Sequence, residues 1–163
     1  MAAQGIAIFE TLEKLRTDFP VLLATGLFDL RQMRIPNWLS WAGLALFVIC
    51  LPVLGLNEWL ARSALGAAAF AICVGLFAIG WLGGGDAKIL PVTMLFVPIS
   101  HLPLYLFAFS GCMLLGMIGI WLARQQFAHP QTTWVSMRPG AAFPMGISIA
   151  ASLPATVALT AIL

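Results

Sequence analysis

Two aspartates are the residues of this chain whose type and position suggest chemistry. Asp29 and Asp86 adjoin long apolar stretches, and Asp86 directly follows three glycines. Two carboxyl groups that lie within a few ångströms of each other cannot both ionise at low cost, so they share a proton and provide one acid and one base. Such a pair activates water in aspartic proteases. The two residues together could therefore hydrolyse a peptide bond.

The composition indicates which solvent surrounds the elements that carry these aspartates. Of the 163 residues, 61% are hydrophobic and 9% are charged, whereas an average soluble domain has about 25% charged residues. Four stretches contain no charged residue: Ile35–Asn57, Ser63–Gly85, Ile89–Ala123 and Pro139–Leu163. Each of them exceeds the about 20 residues that a helix needs to cross a bilayer. The sequence therefore predicts an all-α membrane protein.

Prolines, glycines and charged residues divide the chain into about six predicted transmembrane helices. The predicted spans are residues 19–30, 38–56, 63–82, 89–97, 104–123 and 141–163. Pro98 and Pro103 divide the longest apolar stretch, because proline disrupts the interior of a helix. A short polar loop is expected at residues 57–62. Together the six spans form one predicted transmembrane peptidase domain, residues 19–163.

The N-terminal segment, residues 1–18, has the pattern of a helix that lies on the membrane surface. Ile6, Phe9, Leu12 and Leu15 recur at about one helical turn, and charged residues fill the opposite face. The segment mixes acidic and basic residues and lacks the basic-then-apolar order of a cleaved signal peptide. We therefore expect an interfacial amphipathic helix at residues 1–18.

The number of crossings places both aspartates on the same side of the membrane. Between Asp29 and Asp86 the chain crosses twice and so returns to the face that it left. With the N-terminus outside, most basic residues fall on the cytoplasmic side, as is usual for membrane proteins. These residues are Arg31, Arg34, Lys88, Arg124 and Arg138. We expect both aspartates at the cytoplasmic boundary.

The helix ends predict different charge states for the two carboxyl groups. Asp29 lies near the C-terminal, negative end of one predicted helix, and Asp86 near the N-terminal, positive end of the next. We therefore expect Asp86 to ionise first and Asp29 to hold the shared proton. The charge of Lys88 could support an ionised Asp86.

The glycines that precede Asp86 are Gly83, Gly84 and Gly85. A glycine triplet lowers helix stability, which favours a local purpose for this break. Without side chains, the backbone can approach a bound extended peptide and offer its hydrogen-bonding groups. We expect the three glycines, together with Lys88, to support the site.

The residues around both aspartates resemble the paired motifs of a known family. Asp29 is followed after five residues by Ile-Pro-Asn at residues 35–37, and further along the chain by Gly-Gly-Gly-Asp-Ala-Lys at residues 83–88. Together these motifs resemble those of type IV prepilin peptidases, bacterial intramembrane aspartic proteases of the GxGD type. The resemblance covers about residues 19–163 and includes Pro-Met-Gly at residues 144–146, which is similar to a late proline-glycine segment of the family.

The resemblance implies a reaction, a substrate and a location. Asp29 and Asp86 would be the catalytic residues. The substrates would be prepilins or pseudopilins with a basic leader and an apolar helix, cut at the cytoplasmic face of the bacterial inner membrane. Longer members carry paired CxxC motifs linked to zinc and also methylate the new N-terminus. This chain is similar to the short form associated with tight-adherence (Flp) pili, so we expect peptidase activity without methyltransferase activity.

Other kinds of site have little support in the sequence. Cys50, Cys73 and Cys112 each stand alone in an apolar stretch, and the predicted topology separates His101 from His129, so we expect no metal ligand set. A net charge of +2 without a basic run does not favour a nucleic-acid partner. We expect no cofactor, and a lipid bilayer as the surroundings.

Simpler interpretations exist for several of these residues. An acidic residue near the end of a span often has no role beyond extending its side chain to the membrane surface. This would explain Asp29 if it is considered alone. Arg31 and Arg34 fit orientation signals better than substrate ligands, and Asn37 fits a helix cap. The alternative function is a small transporter or scaffold whose two aspartates relay protons or bind cations. A proton path usually distributes acids through the depth of the membrane, whereas both aspartates are predicted at one boundary.

Overall fold

The computed structural model describes residues 20–162 of the chain. Within this range helices are the regular secondary structure, and no β-strand occurs. Residues 20–32 form helix α1. The helices that follow are α2 (Asn37–Ile49), α3 (Leu51–Leu54), α4 (Leu56–Ala78), α5 (Asp86–Met94), α6 (Leu102–Phe127) and α7 (Met145–Ile162), with 3-10 turns at Ile99–His101 and Val135–Met137. The amphipathic helix predicted at residues 1–18 lies outside the described residues.

Three of the described helical segments are long and apolar enough to cross a membrane. They are Leu56–Ala78, Ile99–Phe127 and Met145–Ile162. The all-helical membrane class predicted from composition is therefore confirmed. Helix α2 has 13 residues and α5 has 9, which is shorter than the about 20 residues of a regular crossing.

Helix α4 begins earlier than predicted, because residues 57–62 are helical rather than a loop. The Arg62 Nε donates to Glu58 Oε1 at 2.9 Å, one turn away on the same helix. A second guanidinium nitrogen of Arg62 donates to the carbonyl oxygen of Phe96, just beyond α5, at 3.1 Å. Through these contacts Glu58 and Arg62 find partners while the helix continues. The polar residues at 57–62 therefore do not mark a helix boundary.

The second predicted span, residues 38–56, is divided into two helices. Helix α2 ends at Ile49, and the short α3 follows directly. Gly55 then has a φ of +75°, which only glycine adopts readily, and α4 begins at the next residue. The ring of Phe47 in α2 stacks on Trp59 in α4, with 5.5 Å between the ring centroids. The turn at Gly55 thus brings the start of α4 beside the end of α2 at this ring contact.

The turn after α1 holds the end of that helix beside the start of α2. The backbone N–H of Met33 donates to the carbonyl oxygen of Asp29 at 2.8 Å, and Met33 has a φ of +51°, which ends the helix with a left-handed residue. Pro36 is extended and directly precedes α2. The rings of Phe28 and Trp38 meet edge to face across this turn, 6.2 Å apart. Asp29 is thereby placed close to the Ile-Pro-Asn segment.

An apolar cluster joins the helices that carry both aspartates. It consists of the buried residues Ile35, Leu39, Ile89 and Ile149, which come from the α1–α2 turn, α2, α5 and α7. In a bilayer, such a cluster stabilises the bundle through close packing of side chains, since lipid tails are as apolar as the side chains themselves. Because Ile89 follows Asp86 by one helical turn, the cluster fixes the position of Asp86 relative to α1 and α7.

Candidate active site

Asp29 lies where the end of one helix meets the start of another. It is in the last turn of α1, and its side chain is 6% exposed. Its Oδ2 accepts a hydrogen bond from the backbone N–H of Gly146 at 2.6 Å. Gly146 is the second residue of α7, where N–H groups have no partner within the helix and the helix dipole is positive. A charged carboxylate makes the stronger hydrogen bond with such a donor, so this contact favours the ionised form of Asp29, while burial of the group acts in the opposite direction.

Gly146 leaves the space that this contact requires. A Cβ atom at residue 146 would lie 2.8 Å from both Cβ and Oδ2 of Asp29, a distance at which the atoms would overlap. The neighbouring Met145 packs against the apolar cluster of Ile35, Leu39, Ile89 and Ile149. Only the resemblance to the family suggested this segment, and the structure shows what it contacts.

Asp86 is the first residue of α5. Its Oδ1 is buried and has no hydrogen-bond partner among residues 20–162. Its Oδ2 lies over Gly83, where a Cβ atom would be only 2.8 Å away. A buried carboxylate oxygen without a hydrogen-bond donor is costly when the group is charged. The surroundings of Asp86 therefore favour its neutral form.

The two aspartates are close enough for the charge of one to act on the other. The pKa of Asp86 is raised to about 7, mainly because burial penalises its charged form and also because the negative charge of Asp29 is nearby. Of the two carboxyl groups, Asp86 is therefore the one that more readily holds a proton near neutral pH. The predicted order of ionisation was the opposite, with Asp86 ionising first. The sequence does not reveal that the start of α7 donates a hydrogen bond to Asp29.

The raised pKa of Asp86 predicts a loss of activity in alkaline solution. Below pH about 7 the group is protonated and can donate a proton, and above it the group is ionised and cannot. We expect kcat/KM for peptide hydrolysis to fall above pH about 7, by about tenfold per pH unit once Asp86 is mostly ionised. A pH–rate profile measures this, with recovery of activity at neutral pH as the control for unfolding. A profile that stays flat to pH about 9 would contradict the assignment.

The other two glycines of the triplet, Gly84 and Gly85, pack against side chains of neighbouring segments. A Cβ atom at Gly84 would lie 3.2 Å from the ring of Phe77, and one at Gly85 would lie 3.2 Å from the Cβ of Ile35. Gly85 thus lets the Gly-Gly-Gly-Asp segment pack directly against the Ile-Pro-Asn segment. These contacts give the glycines a role in internal packing, and their expected approach to a bound peptide stays a prediction.

Lys88 and Asn37 link the two motifs by a hydrogen bond. The Nζ of Lys88 donates to Oδ1 of Asn37 at 3.0 Å. Helix α2 begins at Asn37, and no side chain caps it, so the predicted role of Asn37 as a cap is wrong. In the part of the chain that the structure describes, Lys88 forms no ion pair with Asp86. The spacing of two residues along the chain therefore does not produce the expected charge contact.

The segment between α6 and α7 closes over the end of α1. Ser136 is fully buried, and its hydroxyl donates to the carbonyl oxygen of Leu30 at 2.6 Å. Arg124 holds this segment through two backbone carbonyl groups, Ser136 at 2.8 Å and Ala142 at 2.7 Å. The sequence predicts for Arg124 only a place on the cytoplasmic side of the membrane, and nothing in it indicates a role for Ser136. Both residues brace the turn of helix that contains Asp29.

The site brings together two carboxyl groups with different surroundings. Asp29 has a hydrogen-bond donor in Gly146, whereas Asp86 Oδ1 has none among residues 20–162. Among the described residues, no group of three or more His, Cys, Asp or Glu side chains is arranged to hold a metal ion.

Comparison with known proteins identifies the family of this chain. Residues 19–120 match the model of the type IV leader peptidase family, a range that includes both aspartates, the three glycines and the contact between Asn37 and Lys88. No curated protein and no solved structure gives a significant match. Because the family match covers more than half of the sequence, the chain belongs to the type IV leader peptidase family.

Proposed function

We propose that the protein is an aspartic endopeptidase that removes the leader peptide of type IV prepilins and pseudopilins, including those of Flp-like pili. The observation that carries this proposal is the contact of Asp29 with the start of α7, near a partly buried Asp86 whose pKa is raised to about 7. Family membership supports a leader peptidase. The pair of carboxyl groups also supports the proposal, since such a reaction needs an acid and a base.

The proposed reaction uses the two carboxyl groups in complementary roles. Asp29 takes a proton from a water molecule while the water oxygen attacks the carbonyl carbon of the scissile peptide bond. Asp86 gives its proton to the carbonyl oxygen, which forms a neutral tetrahedral intermediate. Breakage of the C–N bond then returns a proton to Asp86, and the leaving nitrogen takes the proton that Asp29 had accepted. The pair ends in its starting state.

A direct test uses the full chain in lipid vesicles with a precursor that has a basic leader and an apolar helix. We expect one cut after the leader, insensitive to a metal chelator, and a product without added methyl groups when S-adenosylmethionine is present. Mass spectrometry of the products measures all three outcomes, with empty vesicles as the control. An intact precursor would contradict the proposed peptidase, and a methylated product would contradict the absence of methyltransferase activity.

We further propose that the chain crosses the inner membrane six times, with the aspartates at the cytoplasmic face and an amphipathic helix before residue 19. Two crossings separate Asp29 from Asp86, and the excess of basic residues gives the orientation. A single cysteine introduced at Gln32, beside the end of α1, is expected to react with a membrane-impermeant reagent only from the cytoplasmic side. Labelling from outside alone would reverse the orientation, and the native cysteines are first replaced to provide a silent background.

A further inference from the structure

A groove of about 620 Å³ lies between α2, α4 and α5, outside the carboxyl pair itself. Its walls are mainly apolar, with Leu44 and Phe47 from α2, Phe70 from α4 and Leu95 from the end of α5 among them. The volume falls in the range of about 300 to 1,000 Å³ that binding pockets occupy. The groove is therefore large enough to hold a partner.

One end of the groove lies at the contact between the two motifs that carry the aspartates. Asn37 and Lys88, which are joined by a hydrogen bond, line that end. From Asn37 the lining follows α2 to Val48, which is about 16 Å at 1.5 Å per residue. The groove thus runs along the helices for about three turns, starting at the residues that join the Ile-Pro-Asn segment to the Gly-Gly-Gly-Asp-Ala-Lys segment.

The rims of the groove are apolar and exposed, which indicates that lipid surrounds its opening. Trp41 is 70% exposed, and Val48 and Phe70 also expose about half of their side chains. A chain segment that enters from lipid must be apolar, and its backbone polar groups must be paired within the segment. Both conditions describe an apolar helix.

The floor of the groove allows close approach by such a helix. It includes the exposed Ala67 of α4, and small residues of this kind let helix backbones pack closely in a membrane. Two further lining groups, Ser40 Oγ and Trp59 Nε1, are buried and have no hydrogen-bond partner within the described range.

We propose that this groove binds the apolar helix of the substrate, the part of the precursor that continues from the cleaved bond into the membrane. The inference rests on the proposed peptidase function and adds the surface that holds the substrate. The helix would lie along α2 and α4, while the leader extends past Lys88 to Asp29 and Asp86. Cleavage then occurs where the helix ends, because the groove ends there.

Filling the groove tests the proposal. Ala67 lines the groove and is exposed, whereas the neighbouring Ala68 is also exposed but does not line it. Ala67→Phe places a ring in the groove, and Ala68→Phe is the matched control. Each variant is measured in vesicles with two substrates, a precursor that retains its apolar helix and a soluble peptide that ends shortly after the scissile bond.

We expect Ala67→Phe to raise KM for the helix-containing precursor by about tenfold, which corresponds to about 1.4 kcal/mol of lost binding. Cleavage of the short peptide should be unchanged, and Ala68→Phe should behave as wild type with both substrates. An equal loss with both substrates, or no change with either, would overturn the groove as the helix site.

Crosslinking provides a second readout that does not depend on cleavage. A photoreactive amino acid in place of Ala67, combined with Asp86→Asn to keep the precursor intact, is expected to capture the apolar helix of the precursor. Capture of phospholipid alone would overturn the proposal while leaving the peptidase function intact. Failure of the wild type to cut either substrate would instead overturn the proposed function and the groove proposal with it.

Discussion

Replacing either Asp29 or Asp86 by asparagine is expected to lower the rate of precursor cleavage by a factor of about 10² to 10⁴. Asparagine has nearly the same shape as aspartate, but it neither accepts nor gives the proton that hydrolysis requires. In Asp29→Asn the side-chain amide oxygen could still accept the hydrogen bond from Gly146 that the carboxylate now accepts, so the fold should persist. The size of the precursor in membranes that contain wild type or either variant measures the effect.

The amount of each variant in the membrane is the control for this experiment. If both variants are inserted at the wild-type level and process the precursor normally, the peptidase interpretation fails. In that case the alternative of a transporter or scaffold, in which the two aspartates relay protons or bind cations, becomes the better explanation.

A methyl group at Gly146 is expected to lower kcat by about a hundredfold, the size of effect that a displacement of about 1 Å can have in an active site. The new Cβ in Gly146→Ala would lie 2.8 Å from Asp29 Cβ and Oδ2, so the carboxylate or the start of α7 must move. Either movement weakens the hydrogen bond of 2.6 Å that holds the charge on Asp29. Kinetics with the helix-containing precursor measure the effect, and KM should change much less than kcat.

Gly119→Ala is the matched control for this substitution. Gly119 lies in α6, and a Cβ atom at that position would meet nothing within 4 Å. Gly119→Ala therefore adds the same methyl group to another helix of the bundle without a clash. A wild-type kcat for Gly146→Ala would show that the contact between Asp29 and α7 is not needed for hydrolysis.

The long apolar segments of the fold could be predicted from the sequence, and their ends could not. Composition and charge-free stretches correctly indicate α4, α6 and α7, because a crossing helix must be apolar over most of its length. The start of α4 was misplaced because Glu58 and Arg62 have the polarity of loop residues. In the structure they pair with each other, and Arg62 also reaches the backbone beyond α5.

The two aspartates were found from residue type, from the parity of the crossings and from the neighbouring motifs. What the sequence could not give is the set of distant partners that determines their charge. The donor to Asp29 belongs to α7, and the brace at Leu30 comes from Ser136. The prediction of the charge states considered only the helices on which the aspartates lie, and a third helix end reversed it.

The hydrogen bond between Asp29 and Gly146 joins residues that are 117 positions apart in the chain. During synthesis, α1 enters the membrane long before α7 exists, and contacts of this sequence separation form only after the intervening chain is in place. A partly made chain can already contain both aspartates, yet Asp29 still lacks the donor that holds its charge. For the proposed peptidase, the order of synthesis therefore delays the proposed arrangement of charges until α7 has been made and has packed against α1.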